Sequence, residues 1–201
     1  VIIGHDYQLW FYHEDYKIKE NTQQYQIGEE ALEAETVTAV KRESVPETAV
    51  EDFKYKVLNG SYCEVTGYTG TETKIRIPSE INGYIVQSIG SNAFKNNQNL
   101  TIVVFPETVE TVGDSLFAGC TSLKEVRLNE GLKAISNDAF DGCSALDDIV
   151  LPGTIGSIGD YAFRGCTSLK SISLSNNVKT IGAGAFKGCG QLADISMAEG
   201  L

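Results

Sequence analysis

The sequence predicts an α/β solenoid with a concave parallel β-sheet, short helical turns on the convex side and an N-terminal β-hairpin cap. Three observations carry this prediction. A 23-residue period runs without a slip through the C-terminal half of the chain, each period holds one short strand pattern, and each brackets an Ala-Phe or Leu-Phe pair with helix start and stop signals. Phe94, Phe117, Phe140, Phe163 and Phe186 mark the period. Ile89, Val112, Ile135, Ile158 and Ile181 keep the same register, as do Leu100, Leu123, Leu146, Leu169 and Leu192, and Val103, Val126, Ile149, Ile172 and Ile195.

Residues 1–52 form an acidic, aromatic-rich N-terminal segment and linker. They hold 12 acidic and 4 basic side chains, which accounts for most of the net charge of −11 carried by the 201 residues. Tyr7–His13 and Tyr16–Lys19 read as strands. EEALEAETVTAVKRE, residues 29–43, places acids early and Lys41 and Arg42 late, the order a helix dipole favours, although its Val and Thr residues oppose a helix. SVPETAVED, residues 44–52, reads as a linker.

Residues 53–87 are expected to form the cap, because the first coil of a solenoid would otherwise expose its apolar interior. Asn59-Gly60 between two β-prone runs is a type I′ hairpin signal, since both residues tolerate positive φ, and Asn82-Gly83 repeats it. Ile75 and Ile77, alternating with Lys74 and Arg76, should cover the core and stop at Pro78, which has no amide to donate.

Residues 88–201 comprise five 23-residue repeats, the last cut one residue short. In Val126 and Leu128 the two-residue spacing points both side chains to one side of a strand, and stacking the coils turns these strands into a parallel sheet. Ser91, Asp114, Asn137 and Asp160 are expected to cap short helical turns, with Ala183 breaking the pattern in the fifth unit. Asn96, Gly119, Gly142, Gly165 and Gly188 are expected to close those turns in the left-handed conformation. Leu192, Ile195 and Met197 are positioned to be buried by a sixth coil, so the array is expected to continue.

The repeat I-G-x-x-A-F-x-G-C-x-x-L-x-x-I-x-L-P resembles the 23-residue leucine-rich repeat of BspA-like bacterial surface proteins over residues 88–201. VTGYTGTETKIRIPSEINGYIVQSIG, residues 65–90, is similar to the segment that opens such arrays, so the likeness covers residues 53–201. Asn97 departs from the Cys of the other units, and Phe105 from Leu. The resemblance implies a right-handed leucine-rich-repeat array, an extracellular or cell-surface location and contact with host matrix proteins or other cells. The first residues lack the basic and apolar regions of a signal peptide.

Several chemistries are disfavoured. The acidic balance opposes nucleic-acid binding, and no run approaches the roughly 18 apolar residues needed for membrane insertion. Cys120, Cys143, Cys166 and Cys189 occupy one place per coil. A linear column of parallel side chains suits buried free thiols better than disulfides or a tetrahedral zinc site. A Cys63 nucleophile would need His5 or His13 brought back to it and oriented, which no motif specifies. His5-Asp6 and His13-Glu14-Asp15 lack a scaffold for a metal, and the Asp-rich stretches lack calcium-loop spacing. No catalytic residue, metal ligand or cofactor is expected.

What remains is a surface. Ile102, Glu125, Asp148, Ser171 and Asp194 form one column on the concave sheet, and Val104, Arg127, Val150, Ser173 and Ser196 the next. These vary while the core repeats. The expected function is therefore a non-catalytic binding or adhesion module that takes a protein or cell-surface glycan partner on that face; the alternative is an accessory targeting module of a larger secreted enzyme or cell-wall protein. Each residue could equally be a solvated strand position, with Arg127 paired to a neighbouring carboxylate.

Overall fold

The computed structural model describes residues 16–18, 39–41 and 44–197, and the chain divides into two compact units, residues 1–44 and 45–201. In the first unit, β1 (Tyr16–Ile18) pairs antiparallel with β2 (Ala39–Lys41), Tyr16 opposite Lys41 and Ile18 opposite Ala39. The Tyr16 strand is as expected. The helix expected over 29–43 is replaced at 39–41 by a strand, in line with the β-branched Val37, Thr38 and Val40. Its remaining residues, and the strand expected at Tyr7–His13, lie outside the described residues.

The second unit opens with an extended stretch and a 3-10 turn at Val50–Asp52, followed by the antiparallel hairpin of β3 (Phe53–Asn59) and β4 (Tyr62–Tyr68). After β5 (Lys74–Arg76) come β6 (Glu80–Ile81) and β7 (Tyr84–Ile89), and β7 joins the cap to the array by pairing with β4 and β6 and, through Ser88 and Ile89, with Thr111 and Val112. The two Asn-Gly pairs behave differently. Asn82 (φ 50°) and Gly83 (φ 86°) adopt the left-handed pair expected of a type I′ turn, whereas Asn59 and Gly60 do not. Asn59 is instead the last residue of β3, and its side-chain oxygen accepts the Ser61 amide across a Gly60-Ser61 turn. The β3–β4 register is irregular between Lys54 and Tyr55 and between Val57 and Asn59, the second beside this turn.

Beyond β7 the chain winds as a β-solenoid. β5 pairs in parallel with β8 (Ile102–Val104), then β10 (Glu125–Arg127), then β12 (Asp148–Val150), and β14 (Ser171–Leu174) pairs with β16 (Asp194–Met197) in the same 23-residue register. With β5, six strands of this row are described, one turn more than the five repeats. A second row of two-residue strands pairs β7 with β9 (Thr111–Val112), and β11 (Ala134–Ile135) with β13 (Ser157–Ile158) and β15 (Thr180–Ile181).

The third side of each coil is not helical, which corrects the expected helical turns. Asn92, Ser115, Asp138, Tyr161 and Gly184 have positive φ, as do Asn96, Gly119, Gly142, Gly165 and Gly188. The second column is the expected stop; the first was not foreseen. Only three residues separate the two, too few for the i to i−4 bonds of an α-helix. Bonds from residue i to i−3 close successive turns, as from the Asp141 amide to Asp138 O (3.1 Å) and the Cys143 amide to Phe140 O (3.1 Å), while alternate amides donate to the next coil, as from Phe140 to Ala162 O (2.7 Å). The residues expected to cap helices cap the neighbouring coil instead. Ser91 Oγ accepts the Asp114 amide, Asp114 Oδ1 that of Asn137, Asn137 Oδ1 that of Asp160, and Asp160 Oδ1 that of Ala183. Ala183 ends the ladder. Glycine precedes Ser91, Asp114 and Asp160, while Ser136 precedes Asn137; at Gly159 the approach is close, since a Cβ there would stand 2.6 Å from the Asn137 nitrogen.

The core lies between the strand rows and these turns. The rings of Phe94, Phe117, Phe140, Phe163 and Phe186 stack at 5.1, 5.4, 5.1 and 5.5 Å with interplanar angles of 18° or less. Leu100, Leu123, Leu146 and Leu169 are fully buried beside them. Ile75 and Ile77 cover the N-terminal end as expected. Asn97, the exception in the cysteine column, turns its Oδ1 to the amides of Asn99 and Leu100, and Phe105 packs 6.3 Å from Phe117.

Candidate binding face

Parallel register brings the residues of each expected column side by side: Ile102 beside Glu125 and Glu125 beside Asp148, then Ser171 beside Asp194. Their surroundings differ along the array. Val150 is 40% exposed, and Ser171, Ser173 and Asp194 are also exposed, with Ser173 Oγ 2.9 Å from Ser196 Oγ. The Asp148 side chain lies outside the described residues. Toward the cap the face closes. Arg127, expected to face solvent, is 3% exposed, with its Nε 2.8 Å from Glu125 Oε1. Ile102 and Val104 are buried together with Val45. The open part of the face is therefore on coils 3 to 5.

The residues covering Ile102 and Val104 come from the stretch that reads as a linker. Val45 is 2% exposed and its carbonyl accepts Arg76 Nε at 3.3 Å; Thr48 is also buried, and its Oγ1 accepts the Arg76 amide at 3.0 Å. Sequence reasoning missed these contacts. The available signal was Val45-Pro46, since a residue before proline is driven to extended geometry suited to lying along a strand.

Cys120, Cys143 and Cys166 form the expected buried column, and Cys189 continues it half-buried. Cys120, Cys143, Cys166 and Cys189 donate to the carbonyls of Phe94, Phe117, Phe140 and Phe163 at 3.0 to 3.2 Å, and all are free, as is Cys63. Burial pushes the Cys120 thiol up to about 12 and those of Cys143 and Cys166 upward as well. They are poor nucleophiles and poor ligands at neutral pH. Cys63 is likewise buried, raised by desolvation, and directed to Tyr84 O.

A second feature escaped the sequence reading. A shallow cleft of about 510 Å³ between the cap and the second strand row is lined by Lys56, Glu64, Thr66, Ser88 and Thr111 among others. Glu64 is held by Lys56 Nζ at 2.7 Å and by Ser88 Oγ at 3.3 Å. Among the described residues no group of three His, Cys, Asp or Glu could hold a metal ion, and no helix is long and apolar enough to cross a membrane.

This architecture is shared. A crystal structure of a leucine-rich repeat protein from T. pallidum is 35% identical, with a TM-score of 0.72 over 75% of this chain and 71% of that one. One from Bacteroides ovatus is 31% identical, TM-score 0.69, over 75% of this chain and 41% of that chain. A leucine-rich cell surface protein from Faecalibacterium prausnitzii is 27% identical, TM-score 0.69, over 79% and 41%. The chain thus spans about two-fifths of the length of the latter two. No curated protein sequence matches significantly. The model of the BspA type leucine rich repeat region matches residues 87–201 in six copies, more than half of the sequence, and the chain belongs to that family.

Proposed function

We propose that the protein is a non-catalytic binding module of a bacterial surface or secreted protein, and that it engages a protein or cell-surface glycan through the concave face of coils 3 to 5. One observation carries this reading: the inward Ile149 and Ile172 repeat and are buried, while Val150, Ser171, Ser173 and Asp194 on the outward side are exposed and vary among Val, Ser and Asp. A rigid scaffold that varies only on one face is suited to recognition of another macromolecule. The surface location is supported by the neighbour described as a cell surface protein. The buried thiols, raised by desolvation, support a reading in which these cysteines do no chemistry.

The test is solid-phase binding of the protein to immobilised matrix proteins and to a glycan array, comparing it with a Val150→Lys/Ser171→Lys variant. Loss of at least tenfold for a captured partner with an unchanged melt supports the reading. Equal binding by both proteins to every captured partner overturns it.

A further inference from the structure

The end of the first strand row nearest the cap already holds a peptide: the chain's own. β5 is the terminal strand of its row, and the register that sends the Ile77 amide to Val104 O turns the Arg76 amide to the opposite, open edge. Three contacts are made there. Val45 seats its isopropyl group on Ile102 and Val104, its carbonyl takes Arg76 Nε, and Thr48 Oγ1 takes the Arg76 amide. Just beyond Thr48 the chain is extended, with Ala49 at φ −57°, ψ 132°, near polyproline II.

We propose that β5 and β8 form a peptide-reading site, distinct from the open face of coils 3 to 5, that fits an extended acidic segment of the pattern Val-Pro-x-Thr and is self-occupied by residues 45–48. The contacts argue for an exchangeable occupant. The Arg76 edge amide is met by the Thr48 side-chain hydroxyl, where a sheet strand would offer a main-chain carbonyl. The stretch is also tethered separately: Asp52 O accepts the amide and hydroxyl of Thr69 at 2.8 and 3.1 Å, so residues 45–48 can leave while the 3-10 turn stays anchored. The segment and the strand carry opposite charge: Glu47 within residues 45–48 is acidic, and β5 contains the basic Lys74 and Arg76. A tether this short holds its segment at an effective concentration of about millimolar, which excludes a free competitor at micromolar concentration.

The experiment uses the full chain and a labelled synthetic peptide of residues 45–52, VPETAVED, read by fluorescence anisotropy. The Val45→Asp variant, or Val45→Ala if the charged one fails to fold, removes the resident side chain. A cooperative melt first confirms that the variant is folded. The peptide is expected to bind the folded variant at least tenfold more tightly than the unaltered protein, and a peptide with Asp at its first position is expected not to bind. Equal affinity for both proteins, no binding to either, or equal binding by the control peptide would each overturn the proposal. None of these outcomes bears on coils 3 to 5, which Val150→Lys/Ser171→Lys tests separately.

Discussion

Coils 3 and 5 share one sequence pattern and differ in what they bury. Phe140 is stacked between Phe117 and Phe163, whereas Phe186 meets Phe163 alone among the described residues. Ile135 and Ile149 are buried, but Ile181 and Ile195, their counterparts two coils on, are exposed, and Met197 is 64% exposed. Burial is therefore conferred by the adjoining coil and is not a property of the repeat itself, as expected when stability is a sum of nearest-neighbour terms. The strongest way to break this comparison is to truncate the same ring in both places. Phe140→Ala should cost about 3–5 kcal/mol in denaturant unfolding, and Phe186→Ala less than half of that. Equal losses would mean that the fifth coil is supported as fully as the third.

The thiol column sharpens the same contrast through pH. A cysteine whose folded pKa is raised binds its proton more tightly in the folded than in the unfolded chain, so stability is unaffected below the ordinary thiol value near 9. Above it the unfolded chain loses protons first, and stability falls by up to about 1.4 kcal/mol per pH unit for each buried thiol. Cys143→Ala should flatten the decline between pH 9 and 11 measured by chemical denaturation. Cys189→Ala, where the thiol is only half-buried, should flatten it less. An identical pH slope in both variants would show that burial of the thiol is not its cause.

The repeat, the first strand row, the phenylalanine stack and the thiol column were legible because each is a one-dimensional pattern in which spacing alone determines which side chains meet; the second row of two-residue strands was not foreseen. The turns were misread for a physical reason. Asp114 or Asn137 before an Ala-Phe pair is as good a cap for a helix as for a neighbouring backbone, and only stacking decides between them. The left-handed column passed unnoticed because Asn92, Ser115, Asp138 and Tyr161 have no common side chain. For the binding face, alternation identified the columns but not their exposure. That Arg127 is buried and Ile102 lies under Val45 follows from contacts that the 23-residue period does not encode.

A smaller effect separates the two Asn-Gly pairs of the cap. Gly83, at φ 86°, has open space around its missing Cβ, so Gly83→Ala costs only the backbone strain, about 1 kcal/mol. Gly60 also has open space and lacks the left-handed conformation, and Gly60→Ala should be neutral or stabilising by up to about 1 kcal/mol. Paired thermal melts would check this. A loss at Gly60 as large as that at Gly83 would mean that the first hairpin is closed as tightly as the second.

The smallest expected effect lies where coils 4 and 5 meet on the turn side. Tyr161 is a bulky residue held at φ 55°, a conformation that favours Gly or Asn, and its counterpart one coil later is Gly184 at φ 62°. The Tyr161 ring occupies the space a side chain at Gly184 would need, since a Cβ there would fall 2.6 Å from the ring edge. The strain at Tyr161, about 1–2 kcal/mol, is opposed by the Arg164 guanidinium 4.8 Å above its ring. Arg164 is held in turn by Asp141, its Nε 2.7 Å from Oδ1. Tyr161→Asn therefore exchanges strain for contact and should change stability by about 0.5 kcal/mol or less. The informative measurement is the cycle with Gly184→Ala. That change combines backbone strain with the clash in the native protein, but keeps only the strain once Tyr161 is Asn. The two substitutions should thus be less damaging together than their separate effects add up to, by about 0.5 kcal/mol or more. Strict additivity would show that the ring yields freely, and that the glycine at 184 answers only to its own backbone.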